Sequence, residues 1–175
     1  MSLTPATPED LDAVVELVNA AYRDGSGRGW TTESAYLEGP RTDRAALELD
    51  LARAPGARLL LWRGDAAGAL LGTVWLEPAG GGAWYLGLLS VRPELQAAGL
   101  GRAVLEAAEA WAVREGARRM LMTVVNVREA LIAWYRRRGY ALTGETRPFP
   151  YEDDRFGRPL RPDLQFVVLE KALAA

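Results

Sequence analysis

The 175-residue chain contains no cysteine and no histidine, and Lys171 is the one lysine among 21 basic residues. Without cysteine there is no thiol nucleophile, no disulfide and no thiolate zinc site. Without histidine, Ser-His-Asp chemistry, imidazole-ligated metals and imidazole general bases are excluded as well. Proton transfer must fall to Asp, Glu, Tyr, the main chain or water, and no metal is expected. Long hydrophobic runs are also missing, and Met1 to Asp10 is too polar and acidic for a secretory leader. A cytoplasmic protein without a membrane partner is the expectation. A net charge of −2 removes the electrostatic case for a nucleic-acid partner. With 49% hydrophobic residues, the chain suits one domain spanning 1–175.

What is present reads as alternating helices and strands. Thr7-Pro8-Glu9-Asp10 is a capped helix start, followed by Leu11, Val14, Val15, Val18 and Tyr22 at helical spacing. A Gly-rich loop covers Arg23 to Trp30, and Thr31-Thr32-Glu33 predicts a cap before a short helical piece. Thr42 to Ala54 reads as a further helix. Arg58 to Arg63 and Leu70 to Glu77 read as strands joined around a Gly64-Asp65 turn, with a third strand at Trp84 to Val91. Leu100 to Ala112 carries an apolar helical stripe that stops at Gly116, and Met120 to Val125 is a buried strand. Asn126-x-x-Glu129 predicts a capped helix reaching Arg138, and the strands Tyr140 to Thr146 and Leu164 to Lys171 close the chain. This order gives an α+β fold around one mixed sheet.

The stretch Gln96-Ala97-Ala98-Gly99-Leu100-Gly101 lies between a strand and an amphipathic helix. A glycine turn feeding a helix leaves N–H groups unpaired near the positive end of the helix dipole, which makes an anion site. Gly99 and Gly101 lack Cβ atoms and would let a phosphate approach the main chain. The turn is not Walker A, because no Lys-Ser/Thr pair follows the glycines. The dinucleotide fingerprint, with three glycines and a ribose-binding acid, also fits poorly. A tight strand-to-helix turn with a purely geometric role is the competing reading.

Gln-x-x-Gly-x-Gly, preceded by Leu89-Ser90-Val91-Arg92-Pro93, resembles the pyrophosphate loop of the GNAT superfamily of N-acetyltransferases. The run Ala133-Trp134-Tyr135-Arg136-Arg137-Arg138-Gly139-Tyr140 is similar to the closing helix of the same family, and the element order agrees along nearly the whole chain. The resemblance implies a central mixed, mainly antiparallel, splayed sheet flanked by helices. It implies an enzyme that transfers an acetyl group from acetyl-CoA directly to a primary amine, with no metal. Main-chain groups of Leu89, Ser90 and Val91 would hold the pantetheine arm. Gln96, Ala97, Ala98, Gly99, Leu100, Gly101 and Arg102 would hold the pyrophosphate, with Asn126 a further cofactor contact or a helix cap. Tyr135 matches the general acid, which would protonate the departing thiolate, and packing against Leu131 is its alternative role.

Two positions depart from the family pattern. Arg128 stands seven residues before the tyrosine, where members often carry Asn, and Thr123 stands where acetylases of ribosomal N-termini carry Glu. Glu77 is the substitute candidate for a general base, and water is the alternative. Tyr22, Trp30, Tyr36, Trp84, Phe149 and Tyr151 are candidates for an aromatic acceptor pocket. Asp24, Glu33, Glu38, Glu152 and Asp153 are candidates to attract a cationic amine, or else solvate loops. A noncatalytic acyl-CoA-binding module, another acyl group, a protein rather than small-molecule acceptor, and a homodimer all remain open at this level.

Overall fold

Leu59-Leu60-Leu61-Trp62 is a run of four consecutive buried apolar residues. Side chains alternate across a strand, so such a run requires a sheet covered on both faces. The computed structural model, which describes residues 2–26, 28–64 and 68–174, meets that requirement. The turn expected at Gly64-Asp65 falls, at Asp65, outside the described residues. So does Gly27 of the expected loop.

The strands are β1 (Leu3–Pro5), β2 (Leu37–Glu38), β3 (Arg58–Arg63), β4 (Leu70–Gly80), β5 (Ala83–Val91), β6 (Arg119–Val125), β7 (Ala141–Pro148), β8 (Arg158–Pro159) and β9 (Gln165–Ala172). The helices are α1 (Leu11–Arg23), α2 (Arg44–Arg53), α3 (Leu100–Arg114) and α4 (Glu129–Arg136). Seven strands form one sheet in the order β1-β3-β4-β5-β6-β9-β7, and β2 and β8 pair separately. Among the described residues, β5 and β6 are the one parallel pair, and the other pairings in the sheet are antiparallel. The expected mixed, mainly antiparallel α+β fold is therefore present.

Leu60, Trp62, Val74, Leu76, Trp84 and Leu86 pack on the α3 face with Val104, Leu105 and Ala108. Leu59, Leu61 and Trp75 pack on the opposite face with Leu11, Val14, Val18 and Leu47 from α1 and α2. The Thr7 start is a capping box: the Asp10 carboxylate accepts the Thr7 N–H at 2.9 Å, and a 3-10 turn at Pro8–Asp10 leads into α1. Asp43 caps α2 by accepting the Ala46 N–H at 2.8 Å.

Three local expectations are corrected. Thr31-Thr32-Glu33 does not cap a helix; the segment is a turn leading to β2. There the Glu33 N–H donates to the Tyr22 carbonyl at 2.7 Å, and the Glu33 side chain is drawn inward by two arginines. Asn126 does not cap α4, whose N-cap is Arg128. The Asn126 amide instead clamps the start of β9, donating to the Asp163 carbonyl and accepting the Gln165 N–H, both at 3.0 Å. Helix α4 also ends at Arg136, two residues before the expected Arg138. Strand β1 escaped sequence reading because three residues carry no measurable alternation.

Two-sided burial makes a direct prediction. Leu61→Ala and Leu76→Ala, on opposite faces, should each lower unfolding free energy by about 2–5 kcal/mol. Urea denaturation measures both. A Leu61→Ala cost well under 1 kcal/mol would mean that the α1 face is not a core.

Candidate active site

Strands β5 and β6 stay paired for only three residues, ending at Tyr85 opposite Leu121. Beyond that point they diverge, and the open wedge lies between Leu86–Val91 and Met122–Val125. The upper half of β5 is also out of step with β4. Thr73 faces Ser90, but Trp75 faces Gly87, so β5 carries one extra residue there. Leu88 sits in that bulge at φ 48°, the one non-glycine positive φ among the described residues. A leucine there costs about 1–2 kcal/mol, a strain that surrounding contacts must hold in place. The buried Ser90 hydroxyl does part of this, donating to the Leu88 carbonyl at 3.0 Å.

Immediately after β5, a 3-10 turn at Pro93–Ala98 delivers the chain to α3. Gly99 occupies the left-handed region at φ 79°, and a Cβ built there would meet no atom within 4 Å. Glycine is needed for the backbone conformation, while the space beside it is open. No side chain caps α3, so its first N–H groups have no helical acceptor and face the same opening. Gly101 is helical, and a Cβ there would only touch the Trp134 ring at 3.7 Å.

Gln96 is a fastener in this structure. Its amide accepts the Trp30 N–H at 2.9 Å and donates to the Thr31 hydroxyl at 2.7 Å, closing the 28–31 loop onto the turn. Gly29 presses against it so closely that a Cβ would lie 3.1 Å from Gln96 Oε1 and from the Pro93 ring. Arg102 is exposed and pairs with Glu106 at 2.7 Å.

Two cavities meet at Tyr135. The first, about 220 Å³, is lined by Leu89, Val91, Gln96, Ala97, Gly99, Gly101 and Arg102 on one wall and by Trp134 and Tyr135 on the other. The second, about 350 Å³, occupies the β5–β6 wedge and reaches Phe149, Phe156 and Phe166. Tyr22, Leu89, Arg128, Leu131 and Tyr135 line both. Tyr135 is buried, its ring edge-on to Trp134 at 5.0 Å and to Tyr140 at 5.7 Å. Its hydroxyl makes no hydrogen bond among the described residues. Burial pushes its pKa above the usual tyrosine value, so it keeps its proton through neutral and mildly alkaline pH. Burial likewise raises Tyr22, and raises Tyr36 to about 12.

The polar centre beside Tyr135 is Glu33 between Arg23 and Arg128. Glu33 is 4% exposed and accepts from Arg128 at 2.9 Å and from Arg23. Arg128 also donates to the Thr31 carbonyl and stacks over Tyr22, with its guanidinium carbon 5.5 Å from the ring centroid. Arg128 and Tyr135 are seven residues apart, about two helical turns, which brings both to the cavity side of α4.

Several expected site residues lie elsewhere. Glu77 accepts from the Trp75 indole at 3.1 Å and lines two neighbouring cavities that include Tyr85 but not Tyr135. Asn126 lines neither Tyr135 cavity and is spent on the β9 clamp. Trp84 belongs to the core, and the Tyr151 hydroxyl braces 161–164. Four of the five expected acids are paired with arginine: Asp24 with Arg28, Glu38 with Arg158, Asp153 with Arg155 and Glu33 as above, while Glu152 has no ion-pair partner among the described residues and lines neither cavity. Sequence reading missed Arg23, Arg41 and the Leu88 bulge, because in an arginine-rich chain no spacing distinguishes one guanidinium from another.

The fold is a bulged, splayed sheet with an open glycine turn at the end of its central strand β5. The chain belongs to the acetyltransferase (GNAT) family, whose model matches residues 11–140. No curated protein matches it. Among solved structures it is similar to a nourseothricin acetyltransferase, with 27% identity over 69% of this chain and 67% of that one, and a TM-score of 0.57. It also resembles a ribosomal-protein-alanine N-acetyltransferase from Brucella melitensis at 19% identity, covering 99% of this chain and 100% of that one, TM-score 0.68. An N-acetyltransferase from Staphylococcus aureus Mu50 matches at 17% identity over 98% of both chains, TM-score 0.67. The family supports acyl transfer to an amine.

The buried ion group generates a stability prediction. Glu33→Gln leaves two buried guanidiniums without a counter-charge and should cost about 3–5 kcal/mol. Equilibrium denaturation of Glu33→Gln, Arg128→Leu and the double variant measures it. Additive losses would show that the groups do not interact.

Proposed function

We propose that this protein transfers the acetyl group of acetyl-CoA directly to a primary amine, with Tyr135 as proton donor to the leaving thiolate. The observation that carries this reading is the meeting of two cavities at one buried, protonated tyrosine. The first cavity suits the carrier. Its open turn at Ala97, Ala98, Gly99, Leu100 and Gly101 offers main-chain donors to a pyrophosphate, with Arg102 at the rim and Gln96 fixing the turn's wall. Leu89 and Val91 present the bulged edge of β5 to an extended pantetheine arm, which would bind as an added strand. The second cavity then receives the amine.

Acetyl-CoA supplies a thioester whose acyl carbon gains the N–C bond as the C–S bond breaks. The chain's contribution is to align the two partners, exclude bulk water and donate a hydrogen bond to the developing thiolate. Burial raises the Tyr135 pKa, which keeps the hydroxyl protonated at neutral pH and also makes it a weaker acid, so its part is a hydrogen bond that strengthens as charge builds on the sulfur. The ammonium must lose one proton before it attacks, and the attacking nitrogen loses a second as the amide forms, which makes good the proton that Tyr135 passes to sulfur. Among the described residues, the one carboxylate lining the second cavity, Glu33, is held by two arginines, so the proton goes to water, while Glu77 acts only if a relay passes Tyr85. Acceptors named for the structural relatives differ from one another, so the acceptor is argued from the cavity itself. A noncatalytic acyl-CoA sensor would leave the second cavity and Tyr135 without a task.

Carrier binding is tested first. Acetyl-CoA at one hundred times its dissociation constant should stabilise the fold by about 2.7 kcal/mol. Gly99→Glu, which puts a carboxylate into the anion site, should abolish that thermal shift. A shift retained in Gly99→Glu would place the carrier elsewhere.

The chemical step is tested by Tyr135→Phe, which keeps the ring contacts with Trp134 and Tyr140. Turnover should fall by roughly 10²–10⁴-fold while the CoA dissociation constant stays unchanged. In the wild type, kcat/KM should rise towards the amine's pKa and show no fall from tyrosine ionisation below pH 10. Glu77→Gln should stay within about threefold of wild type; a loss of roughly 10²-fold or more would make Glu77 the base after all.

A further inference from the structure

Among the described residues, Arg41 lines the second cavity with a guanidinium that has no hydrogen-bond or ion-pair partner. Its guanidinium carbon lies 5.5 Å from the Tyr22 ring centroid and 5.1 Å from that of Phe156, held between two aromatic faces. Only its main-chain N–H is bonded, donating to Asn19 Oδ1 at 2.7 Å. Among the described residues no carboxylate pairs with it, and no acceptor receives its side-chain N–H groups. The cavity's other charges are accounted for. Glu33 is shared by Arg128 and Arg23, and Arg147 pairs with Glu145 at 2.9 Å. The cavity wall therefore carries one carboxylate, already doubly paired, against three guanidiniums.

This arrangement disfavours a polyamine or any acceptor with a second positive charge. A guanidinium within cation–π range of two rings still has its N–H groups free, and offers a pair of donors matched to a carboxylate or an oxyacid of phosphorus. Two aromatic neighbours hold it without neutralising it. Phe149, Phe156, Phe166 and Leu37 make the rest of that end of the cavity apolar.

We propose that the acceptor is an amine that also carries an anionic group on an apolar body, with Arg41 binding the anion and the amine directed towards Tyr135. Amino acids and aminophosphonates share this chemistry. The proposal rests on the acyltransferase reading and narrows it to a substrate class.

The test compares matched acceptors: apolar amino acids, their primary amides, the corresponding decarboxylated amines and the corresponding 1-aminophosphonates. CoA release is followed with acetyl-CoA, and binding of the same compounds is followed by calorimetry without it. The wild type should prefer the anionic member of each set. In Arg41→Gln the preference in kcat/KM for acid over amide should fall about 10- to 100-fold, mainly through KM. Arg41→Lys keeps the charge without the paired donors and should retain part of the preference. The CoA-induced thermal shift reports that each variant is folded. Preference for the phosphonate over the carboxylate would identify the anion as an oxyacid of phosphorus, and the reverse as a carboxylate.

Amides or plain amines used as well as the acids, with Arg41→Gln leaving the ratio unchanged, overturns the proposal while the acyltransferase stands. Binding of the acids that Arg41→Gln weakens, with no CoA released from any amine, supports the anion site and overturns the acyltransferase reading instead. If Arg41→Gln is not folded, loss of the acid preference in Arg41→Lys supports the proposal, and an undiminished preference there overturns it.

Discussion

The site depends on one interruption of hydrogen bonding, the parting of β5 from β6 after Tyr85. A parallel pair that continued to Val91 would fill the wedge and leave no room for a ligand between the strands. Two features keep it open. The bulge at Leu88 sets the upper half of β5 against β4 with one extra residue. Across the gap, β6 takes its other neighbour from β9, to which it is paired from Arg119 to Val125. Each strand is thus fully supported on its outer side and free on its inner one. Tyr85 and Thr123 span the gap just past its apex with a side-chain hydrogen bond at 3.0 Å.

Around that wedge the chain assembles groups from distant segments. Arg23 and Tyr22 end α1, Glu33 and Arg41 flank β2, and Arg128 and Tyr135 come from α4 and its cap. The Arg23–Glu33–Arg128 group ties three of these segments together. Buried ion groups are seldom a source of stability against an apolar alternative, but they are costly to break and fix geometry. Here Arg128 also bonds the Thr31 carbonyl, so the same group closes the 28–33 loop over the cavity that Gln96 secures from the other side. The positive excess left beside the aromatic wall is a consequence of this assembly.

Much of this was legible in the sequence, for identifiable reasons. Long periodic segments such as Leu100 to Ala112, and the apolar run at 59–62, announced their elements because their burial patterns are strong. The Gly99 turn was legible because two glycines stand between a strand-like run and an amphipathic helix, although the left-handed φ of Gly99 shows only in the structure. Tyr135 was legible only through its resemblance to a family motif, since its spacing from Leu131 serves packing equally well. The fate of the acids was not legible. Glu33, Glu38 and Asp153 looked available to a cationic substrate, yet each is claimed by an arginine, in two cases far away in sequence. Asn126 misled in the same way: a side chain suited to capping α4 is used to anchor β9, 37 to 39 residues later. Long-range polar pairing has no periodicity, and Arg41 stands out only once the other charges lining the second cavity have been paired.

The central claim is that carrier and acceptor enter separate cavities that meet at Tyr135. A crystal structure with acetyl-CoA and a slow acceptor analogue tests it most directly. The account predicts a pantetheine arm running beside Leu89 and Val91, pyrophosphate on the N–H groups of Ala97 to Gly101, and the sulfur within hydrogen-bond reach of the Tyr135 hydroxyl. A carrier bound away from Leu89, Val91 and the Gly99 turn, or a sulfur remote from Tyr135, would contradict it.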